Sequence, residues 1–143
     1  IDTRLLTLLL DGGYLPVLTP PILGAGGVPI NVDGDKLALA LARELGAEGL
    51  LFFSDTPGLL ADVRDEASLV REIDASDPAS ALAAASGRMV VKVETAVRAI
   101  EGGVRQVVFA DGRAERPISR ALAGEGTVIR AGTSVVSPVS GEA

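Results

Sequence analysis

Apolar residues recur along this chain in two ways, at helical spacing and in short unbroken runs, and the alternation of the two predicts helices and buried strands. Leu5, Leu6, Leu8 and Leu9 lie between Asp2 and Leu10 and stop at Gly12-Gly13, predicting a short helix with a glycine end. Tyr14 to Thr19 predicts a strand closed by Pro20-Pro21. Gly24-Ala25-Gly26-Gly27 has the composition of a phosphate loop, but no helix follows it directly. A turn or hairpin tip is the better reading.

The clearest helix comes next: Asp33 can cap it, Asp35 sits in its first turn, Leu37, Leu41 and Leu45 fall four apart, and Gly46 ends it. Gly49 to Phe53 is a continuous apolar strand ended by the turn residues Ser54-Asp55-Thr56-Pro57-Gly58. From Asp62 to Asp77 the sequence is polar and mixed, anchored only by Leu69, Val70 and Ile73, and is expected to be a weakly structured surface excursion. Two helices are predicted after it. Pro78 to Ala85 opens with a proline, and Met89 to Glu101 carries Val93, Ala96, Val97 and Ile100 at helical spacing ahead of Gly102-Gly103.

A strand over Val104 to Ala110, a turn at Asp111-Gly112-Arg113, a helix over Pro117 to Ala123 and a strand over Gly126 to Arg130 complete the pattern. The alternation predicts an α/β fold with a mainly parallel sheet sandwiched by helices, over residues 1–131. Residues 132–143 are rich in Ser, Gly, Pro and Val without periodicity, and a disordered tail is expected there.

Composition narrows this picture. The chain has 143 residues, 48% of them hydrophobic, with only Phe52, Phe53, Phe109 and Tyr14 as aromatics. Aliphatic content of that kind suits helices packed on buried parallel strands. There is no cysteine and no histidine, which excludes a disulfide framework, a thiolate or histidine metal site, a Ser-His-Asp triad and a Cys-His pair within the chain. A net charge of −6, with Lys36 and Lys92 as the two lysines, argues against a nucleic-acid partner. No apolar run has the length of a membrane span and Ile1-Asp2-Thr3-Arg4 does not open a signal peptide, so a cytoplasmic protein without membrane contact is expected. Because the first residue is Ile rather than Met, the chain is expected to be a fragment, a processed product or one part of a larger polypeptide.

Three constellations could carry chemistry. Asn31-Val32-Asp33-Gly34-Asp35 opens the clearest helix, and capping is its simplest reading, although two acids are more than capping needs. Ser54 to Gly58 follows a buried strand, where backbone N–H groups can meet anions; a plain turn fits the residue types equally well. Lys92 is predicted in the first turn of a helix, where a cation opposes the helix dipole. A bound phosphate would give it a reason to be there, and a solvated surface lysine is the alternative.

In this order the segments resemble the amino-acid kinase family, most closely its acetylglutamate kinase and LysW-aminoadipate kinase branch. The resemblance rests on Asn-Val-Asp-Gly-Asp at 31–35, Ser-Asp-Thr-Pro-Gly-Leu at 54–59, Gly-Arg-Met-Val-Val-Lys-Val at 87–93 and Ala-Asp-Gly-Arg at 110–113. It implies a carbamate kinase-like fold and phosphoryl transfer from ATP with Mg2+ to a carboxylate, giving an acyl phosphate. By position, Lys92 and Asp35 are implied as catalytic: Lys92 stabilises charge on the transferring group and Asp35 organises the lysines. Asn31 is implied in substrate binding. Ser54, Asp55, Thr56, Pro57, Gly58 and Leu59, with Ala84, Ala85 and Ser86, are implied in nucleotide binding; no metal ligand is assigned.

Gly-Arg-Met, with Arg88 in a glycine position, leans toward the aminoadipate branch, while Val90 departs from the lysine frequent there. The implied substrate is an N-blocked amino-dicarboxylate, aminoadipate or glutamate, attached to an acidic carrier protein or acetylated. A homo-oligomer is implied for the full-length protein. The family's N-terminal part, with its first catalytic lysine and glycine pairs, is missing from this sequence, so the isolated chain is expected to be inactive. A nucleotide- or effector-binding module without catalysis is the reading from another class.

Overall fold

The computed structural model describes residues 1–83 and 88–132. Its centre is a four-stranded sheet of β3 (Gly49–Ser54), β4 (Glu72–Asp74), β5 (Gln106–Asp111) and β6 (Thr127–Arg130), in the order β3-β5-β6-β4. The β3–β5 and β4–β6 pairs are parallel and the β5–β6 pair antiparallel, so the sheet is mainly parallel, as expected.

Successive strand residues point to opposite faces, and the apolar sequence serves both. Val107, Phe109 and Ile129, with Ile73, Leu50 and Phe52, pack with Ala42 of α2 (Gly34–Glu44) and with Val93, Ala96 and Val97 of α4 (Arg88–Glu101). Their neighbours Val108 and Ala110, with Leu51 and Val128, pack on Ala121 of α5 (Pro117–Leu122). Each such side chain contributes about 1.5–3 kcal/mol when fully buried, which makes this two-sided sheet the energetic centre of the fold. α2 forms as its sequence predicts: the Asp33 side chain accepts the Lys36 N–H at 3.1 Å, and Gly46 leaves the helix at φ +62.

Three expectations are corrected. Tyr14 to Thr19 is not a strand: Pro16 lacks a donor, Leu15 and Val17 are 87% and 89% exposed, and the described residues offer this segment no strand partner. The pairing falls instead on β1 (Ile22–Leu23) and β2 (Pro29–Ile30), an antiparallel pair joined by a short turn at Ala25–Gly27, so the glycine cluster is a hairpin tip. The preceding helix, α1 (Arg4–Asp11), buries none of its residues. The polar excursion over 62–77 carries β4, whose central Ile73 is buried in the main core. A strand with one inward residue is too short to show a period. The third concerns Lys92, which stands past the first turn of its helix.

The alanine-rich helix is α3 (Pro78–Ala83); its expected last residues, 84 and 85, lie outside the described residues, as does the expected tail beyond Gly132. Among the described residues no helix is long and apolar enough to cross a membrane.

Candidate functional site

The parallel strands β3 and β5 end side by side, with Ser54 opposite Asp111, and the chain leaving β3 forms one wall of an open cleft of about 530 Å³. Ligands in open α/β sheets bind at this carboxyl edge because the strands' connecting loops part there. The polar lining is Asp35 from the first turn of α2, Thr56 and Gly58 from the loop, and Lys92 from α4. Leu59, Leu60, Val63, Met89 and Val91 supply an apolar remainder.

Hydroxyls fix the loop from within. Thr56 Oγ1 donates to the Gly58 carbonyl at 2.9 Å and lies 3.0 Å from Ser54 Oγ. A hydroxyl has one proton, so Thr56 accepts from Ser54. The loop is also tied to its neighbour by the Gly112 N–H, which donates to the Ser54 carbonyl at 2.8 Å. The Leu59 N–H donates to Thr127 Oγ1, so that amide is committed within the protein and does not await an anion.

Lys92 is half-buried, with its ammonium 5.8 Å from the centre of the Phe109 ring, which stacks on Phe52 at 5.1 Å. A cation over a ring face gains attraction without losing its charge to a counter-ion. Among the described residues no salt bridge engages Lys92 or Asp35. The described part of α4 runs from Arg88, so Lys92 is at least its fifth residue and stands past the first turn. The dipole penalty predicted for it is therefore largely gone. What distinguishes this lysine is the cleft it faces.

At the end of β5, Asp111 is chelated by Arg113: Nε and Nη2 donate at 3.0 and 2.9 Å, and the Arg113 N–H donates at 2.8 Å. These bonds favour the ionised form, the guanidinium most of all, and hold the Asp111 carboxyl at about 2. The pair fixes the turn beside the cleft.

Of the residues singled out from sequence, Asp35, Thr56, Gly58, Leu59 and Lys92 converge on the cleft. Ser54 stands behind it as the donor to Thr56. Exposed Asp55 and half-buried Pro57 are not part of the lining, and Asn31 is exposed on the connection between β2 and α2, also outside it. Ala84, Ala85 and Ser86 lie outside the described residues. Sequence reasoning missed Leu60, Val63, Met89 and Val91. Leu60 and Met89 are buried and read as ordinary core, whereas Val63 and Val91, 78% and 64% exposed, are apolar side chains left facing solvent.

Among the described residues no three acidic groups gather at a metal position.

The sequence profile of the amino acid kinase family matches residues 1–111. A [LysW]-aminoadipate kinase of Thermus thermophilus is 57% identical over 133 residues, covering 91% of this chain and 49% of that protein. An acetylglutamate kinase of Symbiobacterium thermophilum is 38% identical over 115 residues, covering 79% of this chain and 39% of that protein. The chain thus spans about half the length of the first relative and less of the second. Among solved structures, N-acetylglutamate synthase from Neisseria gonorrhoeae complexed with coenzyme A and L-arginine superposes with a TM-score of 0.76 at 30% identity, over 90% of this chain and 30% of that one.

Proposed function

The chain belongs to the amino acid kinase family, and from that premise we propose that residues 1–131 supply the nucleotide-binding portion of an enzyme that phosphorylates a side-chain carboxylate. The observation that carries this reading is the meeting on one cleft of Asp35, the Thr56–Leu59 loop and Lys92, whose ammonium has no ion-pair partner among the described residues.

A side-chain carboxylate is already ionised near neutral pH, so an acceptor of this class needs no general base from the protein. Its oxygen bonds to the terminal phosphorus of ATP as the bond from that phosphorus to the ADP oxygen breaks. The protein's task is to position the partners and balance charge. Lys92 does the second: it presents a full positive charge, held by its helix and the Phe109 ring, where negative charge shifts during transfer. Asp35 lines the same cleft, where it would organise the catalytic lysines of the full-length protein, including the one that the family resemblance places upstream. Mg2+, when bound with the nucleotide, screens phosphate charge.

The apolar walls at Val63, Met89 and Val91 suit the flat face of a nucleobase, and Thr56 and Gly58 suit the polar part of the nucleotide. Asn31, exposed outside the lining, would meet the amino-acid substrate rather than ATP.

The higher identity to the [LysW]-aminoadipate kinase than to the acetylglutamate kinase favours an acceptor attached to the LysW carrier protein, with acetylglutamate as the alternative. ADP release by the full-length protein, measured with LysW-bound aminoadipate and with N-acetylglutamate, tests this. Turnover with the carried acceptor alone is expected; turnover with the acetylated acceptor alone contradicts it. A second reading, a nucleotide- or effector-holding module without catalysis, is favoured by the similarity to a synthase structure. Acceptor-dependent ADP release would exclude it.

A further inference from the structure

The peptide unit between Gly58 and Leu59 is gripped at both ends by threonine hydroxyls, one from its own loop and one from a distant part of the chain. The Gly58 carbonyl accepts from Thr56 Oγ1 at 2.9 Å, and the Leu59 N–H donates to Thr127 Oγ1 at 2.8 Å. Thr127 in turn donates its own proton to the Val70 carbonyl.

Around this point the loop and the segment leading into β4 run as a short antiparallel ladder. The Val70 N–H donates to the Leu59 carbonyl at 2.9 Å, the Ala61 N–H to the Ser68 carbonyl at 3.0 Å, and Leu60 and Leu69 form a bridge. Leu59 and Val70 would ordinarily exchange both of their hydrogen bonds. Here one rung is split, and the Thr127 hydroxyl stands inside it as acceptor on one side and donor on the other. Gly58 makes room for it: a Cβ there would lie 2.7 Å from Thr127 Oγ1 and 2.9 Å from the Thr127 nitrogen.

Thr127 is fully buried, the one buried polar side chain among the described residues. Burying a hydroxyl is costly unless its bonds are made, and valine would fill the same space without that cost. The hydroxyl's return is the fixed height and tilt of the Gly58–Leu59 peptide, and Thr56, Gly58 and Leu59 are cleft lining. We propose that Thr127 is a positioning residue for nucleotide binding, holding that wall of the cleft in register through the Leu59 N–H. It touches no ligand, and its role rests on the reading of the cleft as a nucleotide site.

The test uses the full-length protein and reads displacement of a fluorescent ATP analogue, with ATP KM, kcat and hydrogen exchange at the Leu59 amide. In Thr127→Val the shape is kept and the hydroxyl lost; ATP affinity falls about tenfold and KM rises in step. The kcat at saturating ATP changes less than about twofold, and exchange at Leu59 accelerates. Thr127→Ser restores affinity, while Thr127→Cys, of the same shape but with a weak hydrogen-bonding group, falls between. Should the valine variant not fold, the serine and cysteine pair makes the same comparison. ATP affinity equal to wild type in a folded Thr127→Val or Thr127→Cys protein overturns the positioning role. If the wild-type protein binds no analogue, the reading of the cleft fails, and the positioning role with it.

Discussion

Asp33 Oδ1 accepts the backbone N–H of Lys36 at 3.1 Å, closing the first turn of α2 and leaving Asp35, two residues on, to face the cleft. The two acids of this short segment therefore do different work. One belongs to the helix and the other to the site.

Their substitutions should separate cleanly. Asp33→Ala removes the cap and lowers stability by about 1 kcal/mol, with turnover of the full-length protein largely kept. Asp35→Asn leaves the cap in place and lowers turnover about 10²-fold with an unchanged melting temperature. Thermal unfolding and ADP release on the two variants check this; equal effects of both substitutions on turnover would contradict the division.

The Asp111–Arg113 pair gives a pH dependence with a definite sign. The folded carboxyl sits at about 2, below its ordinary value of 3.8, so the unfolded chain takes up the proton first as the pH falls. The pair's stabilisation is complete above about pH 3.8 and is lost as the pH drops toward about 2. The melting temperature of Asp111→Asn should fall below that of wild type near neutral pH, and the gap should close at about pH 2. A gap of the same size at both pH values would contradict the assignment. Because the pair is exposed, added salt should narrow the gap at neutral pH.

These residues also mark how far the sequence could be read. α2 was legible because its cap, first-turn acid, leucine spacing and glycine stop all lie within one short window. β5 was legible as an apolar run buried on both faces, and β3 as an apolar run only partly covered. β4 was not, because a three-residue strand with Ile73 alone inside has no period to detect. Tyr14 to Thr19 has the composition of a strand, yet pairing depends on a partner that local sequence does not describe. Asp35, Lys92 and the loop after β3 stood out through their ordered motifs rather than their local physics, and the fold brings Asp35, Thr56, Gly58, Leu59 and Lys92 to one cleft. Thr127 escaped because its partners, Leu59 and Val70, are far from it in sequence. Its place at the start of β6 gave no hint of a hydroxyl held within a hydrogen-bonded rung.

Lys92 is the residue on which the proposed phosphoryl transfer depends most directly. In the full-length protein, Lys92→Met keeps the length of the side chain and removes its charge. ADP release dependent on the carboxylate acceptor should fall about 10²–10³-fold, while ATP binding weakens by no more than about tenfold. Turnover equal to wild type in the folded variant would contradict the claim that this ammonium stabilises phosphoryl transfer.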